Sequence, residues 1–168
     1  MWVFTQGNNK GYDGLTTASL SFVGNPASGG AVTLTPGIAN FDTKNVGTAK
    51  TITYSGYSLG GLDANKFALF SSAGTTTANI TQAALTLSTS NVTKVYDGGL
   101  SAAGTAVVTS GTLFSGDTLS GGSFAFIDKN VGIGNKTVTT AGVTVGDGVN
   151  NGNYNISYTN NTTSIKTR

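Results

Sequence analysis

The sequence has no cysteine, no histidine and no glutamate; its seven acidic residues are all aspartate. Without thiol or imidazole there is no disulfide, no Ser-His-Asp or Cys-His nucleophile and no His/Cys zinc site, and without glutamate no Glu general acid. The chain is therefore expected not to be an enzyme and to carry no cofactor. Charged residues make up only 10% of the 168, well under the roughly 25% of ordinary domains. Eight scattered lysines and a lone arginine at position 168 leave a net charge of +2. They form no basic patch interleaved with aromatics, so no nucleic-acid partner is expected. No apolar run approaches the roughly 18 residues needed to cross a bilayer, the densest being Phe67-Ala68-Leu69-Phe70, and the start of the chain does not read as a secretory signal. Membrane insertion is not expected. Missing cysteine suits the cytosol and equally suits bacterial exported proteins that do without disulfides, so it leaves the compartment open.

Gly, Thr, Ser and Asn supply half of the chain. Leu, Ile, Val and Phe supply nearly a quarter, enough for a core. Internal repetition is the strongest signal. Lys10-Gly-Tyr12-Asp13-Gly14-Leu15 recurs as Lys94-Val-Tyr96-Asp97-Gly98-Gly-Leu100, and Phe41-Asp-Thr-Lys44-Asn45-Val46-Gly47 recurs as Phe126-Ile-Asp-Lys129-Asn130-Val131-Gly132. Lys50-Thr51 then meets Lys136-Thr137, and Ile80 meets Ile165. The pattern is a tandem duplication with its joint near Gln82-Ala83-Ala84, giving repeats 1–83 and 84–168. Each is long enough for a small domain rather than one coil of a solenoid.

Apolar and polar residues alternate with period two in Leu20-Ser-Phe22, Leu85-Thr-Leu87, Phe124-Ala-Phe126 and Val143-Thr-Val145. No helical apolar stripe is present. The expected fold is all-β, two tandem small β-sandwich-like repeats, with β-grasp-like repeats carrying one short helix each as the alternative.

The recurring motifs read as structural turns. Asp13-Gly14 and Asp97-Gly98 follow a strand-ending tyrosine and carry the dipeptide favoured in hairpins. In the second motif Asn45 or Gly47, and Asn130 or Gly132, would supply positive φ while the valine fills the core. The Asx-rich stretch Gly146-Asp147-Gly148-Val149-Asn150-Asn151-Gly152-Asn153 reads as a turn, with a calcium loop as the rival reading; it lacks the ligand spacing of an EF-hand. Lysine and asparagine in apolar strands also admit an isopeptide bond, given a buried acid beside them.

Taken together, Lys94-Val-Tyr96-Asp97-Gly98, Gly116-Asp117-Thr118, Phe126-Ile-Asp128-Lys129-Asn130-Val131-Gly132, Asn153-Tyr154 and Thr163-Ser164-Ile165 resemble the YDG-type repeats of large bacterial surface adhesins, filamentous-haemagglutinin-like exoproteins of the two-partner secretion type. The second half matches throughout. The first departs: Asp42 lies one place earlier than the pattern's Asp, no Gly-Asp-Thr occurs, and Lys66-Phe67 stands in for Asn153-Tyr154. The resemblance implies an extracellular, cell-surface stalk or spacer, monomeric, whose partners are neighbouring repeats of the same chain. The alternative is a module that itself binds a host glycan or surface protein, for which Trp2, Tyr54, Tyr57 and Tyr158 would be the stacking face.

Overall fold

A computed structural model describes residues 1–26 and 30–168. The chain divides into two compact units, Met1–Thr81 and Gln82–Arg168. Both are built from strands, and no α-helix occurs among the described residues.

Unit 1 contains β1 (Trp2–Val3), β2 (Thr5–Gly7), β3 (Lys10–Gly11), β4 (Leu20–Phe22), β5 (Thr33–Thr35), β6 (Ile38–Phe41), β7 (Gly47–Ser55), β8 (Ser58–Gly60), β9 (Ala68–Leu69) and β10 (Gly74–Thr81). Strand β10 runs parallel to β3 and antiparallel to β7, which pairs with β6. On the other side β1 runs parallel to β9, and β2 antiparallel to β4. Ile38–Phe41 alternates between exposed and buried residues, as a strand with one face on a core must. Ala39 and Phe41 of β6, Ile52 and Tyr54 of β7, and Ala78 and Ile80 of β10 thus point inward.

Unit 2 contains β11 (Ala83–Thr89), β12 (Thr93–Val95), β13 (Ala106–Gly111), β14 (Thr118–Phe126), β15 (Gly132–Gly146), β16 (Tyr154–Tyr158) and β17 (Asn161–Thr167). Its sheets have the orders β13-β11-β16 and β12-β17-β15-β14. The connectivity is that of unit 1: a first strand parallel to a late one (β11 with β16, as β1 with β9), and a short early strand parallel to the last (β12 with β17, as β3 with β10). Where unit 2 runs one long strand β14, unit 1 has β5 and β6 separated by Pro36-Gly37, because proline has no N–H to give the ladder. Val92, Phe126 and Val138 form one cluster of the unit 2 core, with Ala102 and Phe124 packed against them.

The architecture is the expected all-β pair of sandwich-like repeats. Among the described residues the short helix of the grasp alternative is absent, and the 3-10 turn Ala64–Lys66 is the nearest feature. The sheet register also corrects one alignment. Ile80 pairs with Lys10, and Lys166 pairs with Lys94, so the counterpart of Ile80 is Lys166, not Ile165.

Candidate functional site

The recurring motifs are the natural place to look for chemistry. In the first, β3 ends and the chain turns away at Tyr12. The Lys10 ammonium reaches Asp13 Oδ1 at 2.9 Å and donates to the Leu15 and Thr17 carbonyls at 2.9 and 2.8 Å, while Asp13 Oδ1 also accepts the Leu15 N–H at 3.0 Å. The copy repeats the device: Lys94 Nζ lies 3.0 Å from Asp97 Oδ1 and donates to the Ser101 carbonyl at 2.7 Å, and Asp97 accepts the Gly99 N–H at 2.9 Å. Gly14 and Gly98 have φ of 78° and 79°, the left-handed region that excludes β-branched residues. Gly14→Val and Gly98→Val should each destabilise their own unit by about 1–3 kcal/mol in urea titrations.

These turns are not hairpins. β3 and β12 each pair with the last strand of their unit, so Asp-Gly carries the chain out of one sheet edge toward the isolated bridges Thr17↔Asn40 and Ser101↔Ala125. Tyr12 is buried (2% exposed), as a core-packing tyrosine should be, but Tyr96 is 45% exposed.

In the second motif the positive φ falls on none of Asn45, Gly47, Asn130 or Gly132. It falls two residues after each glycine, on Ala49 (52°) and Gly134 (70°). Gly47 and Gly132 open β7 and β15 and face the stems of lysines: a Cβ on Gly132 would come within 2.6 Å of the Lys136 stem and 2.4 Å of Asn135 Oδ1, so something would have to shift, while one on Gly47 would make a tight 3.1 Å contact with the Lys50 stem. Val131 is 43% exposed rather than core. Ala49, whose N–H is held by Asn79 Oδ1 at 2.8 Å, sits where L-residues are strained. Ala49→Gly should therefore stabilise unit 1 by about 0.5–1 kcal/mol, and a lower urea midpoint than the parent's would contradict this.

The lysines that cross these glycines hold the carboxylates of the turn. Lys136 Nζ meets Asp128 Oδ1 at 2.5 Å, and Lys50 Nζ meets Asp42 Oδ1 at 3.0 Å and Thr43 Oγ1 at 2.7 Å. The shifted Asp42 keeps its partner because it lies in a bend, where one residue of slip does not turn the side chain to the opposite face. Hydrogen bonds from the lysines hold Asp42 and Asp128 below the ordinary carboxylate range. For Asp97 the Gly99 N–H is the larger cause and Lys94 the second, and Asp63 is lowered by Lys66 and the Ala31 N–H. A depressed native carboxylate value means the unfolded chain binds protons first as pH falls, so these groups stabilise the fold above about pH 4 and lose that contribution below it. Since the chain has no histidine, the melting temperature should be flat from about pH 5 to 7 and fall steeply below about pH 4.

Lys166 is fully buried. Its ammonium donates to the Gly99 and Asp128 carbonyls at 3.0 and 3.2 Å and lies 4.3 Å from the centroid of Phe126. It thus ties the Asp97-Gly98 turn to the Asp128-Lys129 turn, and its removal from water pushes its pKa down. These acceptors are main-chain carbonyls and not carboxyl or carboxamide carbons, so they offer no isopeptide partner at this amine.

Two further locks account for the remaining repeat signature. The Tyr154 hydroxyl donates to Asp117 Oδ2 at 2.5 Å and accepts the Phe114 N–H at 3.0 Å, joining Gly-Asp-Thr to Asn-Tyr. Asp147 is buried with both oxygens engaged: Oδ1 accepts the Val149 and Asn151 N–H groups, and Oδ2 that of Asn153. Asn150 and Asn151 take positive φ around it. The loop folds about its own carboxylate as an Asx-type turn.

The proposed stacking face is not assembled. Tyr54 and Tyr57 are buried against each other, edge to face at 5.9 Å, and the Tyr158 hydroxyl accepts the Val143 N–H at 3.0 Å. Trp2 has other neighbours: it meets Phe70 at 6.0 Å, and Phe70 meets Phe4 at 4.9 Å. Neither phenylalanine was legible as a partner, since Phe70, just after β9, lies 66 residues away from Phe4 in sequence. Among the described residues no pocket opens and no group of three or more His, Cys, Asp or Glu side chains could hold a metal.

A family model described as YDG domain matches residues 3–78 and again 81–163. No match was found among curated proteins or among solved structures. The two matches span nearly the whole sequence and contain the lysine-locked turns of both units, so the chain belongs to the YDG domain family.

Proposed function

We propose that the chain is a structural segment of an extracellular bacterial surface adhesin, two spacer repeats that hold a binding region away from the cell. The observation that carries this reading is the internal engagement of the motif chemistry. In both units the lysine and aspartate of the first motif bind one another (Lys10–Asp13, Lys94–Asp97) and the aspartate of the turn at the second motif is held by the lysine of the strand that follows (Asp42–Lys50, Asp128–Lys136), so these recurrent residues act as turn locks. Thr-rich strands suit the task, because β-branched residues stiffen a sheet and hydroxyls keep its outer face soluble without charge. The segment works as a monomer in line with neighbouring repeats, needs no cofactor and performs no catalysis.

Replacing residues 1–168 in the parent protein by an unrelated two-domain β segment of similar length tests it. A spacer predicts that adhesion survives the replacement and is lost when the segment is simply deleted. Loss of adhesion in both cases would contradict the spacer reading.

A further inference from the structure

Trp2, Phe4 and Phe70 are 62%, 49% and 63% exposed, yet the Phe70 ring meets both of the others. Val3 between the first two is buried, so Trp2 of β1 and Phe4 just after it project outward on the same side, and Phe70 follows β9, the parallel neighbour of β1. The rings of Phe4 and Phe70 are tilted by 34°, while the indole stands at 79° to Phe70. The result is an open apolar corner, which soluble proteins keep exposed where something binds.

Unit 2 serves as an internal control. Its corresponding strand pair, β11 and β16, shows Ala84, Thr86, Asn155 and Ser157 on the outer side, with the Thr86 and Ser157 hydroxyls 3.0 Å apart. The same fold therefore needs no aromatic there. Beside Phe4 the border of the corner in unit 1 is polar and uncharged: exposed Gln6 continues the row from Phe4 and lies opposite Ser21, whose hydroxyl donates to Asn8 Oδ1, while Asn8 Nδ2 donates to Ser19. No lysine, arginine or aspartate belongs to this set; at the other end of the corner, next to Trp2, the Met1 ammonium donates to the Lys66 carbonyl at 3.3 Å.

We infer that this face of unit 1 is a contact site for a neutral glycan. A pyranose ring has one face of C–H groups, which complements the electron-rich face of an aromatic ring, and a rim of hydroxyls, which complements amides and serine hydroxyls able both to donate and to accept. An apolar protein surface would use the rings but not the amide and hydroxyl border, and an acidic glycan would find no cation among these border groups. The inference does not depend on the spacer reading, because a spacer unit can carry a contact face.

Trp2 is the sole tryptophan, so its emission reports on this corner alone. The full chain is titrated with soluble dextran, mannan and a β-1,4-glucan, with heparin as the charged comparator. The expected result is a saturable blue shift and protection from acrylamide with at least one neutral polysaccharide and not with heparin. Phe70→Ala should raise its dissociation constant tenfold or more while leaving circular dichroism unchanged. Three outcomes would overturn the inference: no response to any neutral polysaccharide, a response of equal strength in Phe70→Ala, or a shift that follows protein concentration alone, which would assign the face to a second copy of the chain.

Discussion

Asp147→Ala is expected to cost unit 2 about 3–5 kcal/mol, since it removes the acceptor from three backbone N–H groups in a buried loop and each hydrogen bond to a charged group contributes about 1.5–3 kcal/mol. A domain of this size has a total stability of about 4–13 kcal/mol, so the variant lies at or near unfolding. Asp147→Asn should recover little, because an amide nitrogen in place of one oxygen would face an N–H donor. The readout separates the units: Trp2 fluorescence belongs to unit 1 and should keep its parent urea midpoint, while the circular dichroism transition splits as unit 2 melts earlier. A variant with the parent's single curve would mean that the Asx-rich loop does not hold unit 2 together.

Lys166→Ala carries the second largest expected effect, a loss of about 2–4 kcal/mol. Truncation leaves a cavity beside Phe126 and strips the Gly99 and Asp128 carbonyls of their donor. Unit 1 supplies the comparison, since Ile80 fills the equivalent buried position with an apolar side chain. A buried charge is costly to desolvate, so Lys166→Met, which keeps the volume, should recover most of the loss. If Met were as damaging as Ala in urea titrations, the ammonium's hydrogen bonds rather than its volume would be the main contribution.

The parts of this fold that were legible in the sequence are those set by local pattern. Period-two alternation in Phe124-Ala-Phe126 and Val143-Thr-Val145 gave strands, and the spacing of two Lys-x-Tyr-Asp-Gly motifs gave the duplication. What stayed hidden depends on pairing across long separations. Asp13-Gly14 suggests a hairpin because the dipeptide specifies local backbone geometry, yet which strand β3 joins is decided by β10, some 70 residues later. The true counterpart of Lys166 required the register of the parallel pair, because apolar Ile165 next to it made the better sequence match to Ile80. Similarly, Gly47 and Gly132 looked like turn formers because glycine is the usual choice for positive φ. Their closeness to the Lys50 and Lys136 stems is a tertiary constraint that no local rule states. In the same way the aromatic corner could not be read from Trp2, because the partner that completes it, Phe70, follows a strand more than 60 residues later.

The central claim, that the chain is two autonomous units fit to act as a spacer, is tested most directly by pulling the full chain from its ends in single-molecule force measurements. The account predicts two separate unfolding events, each lengthening the chain by about 25 nm, the extended length of some 80 residues less the span of a folded unit. It also predicts that Lys166→Ala lowers the force of only one of them. A single event releasing the whole chain at once, or a variant in unit 2 that weakens both events, would contradict it.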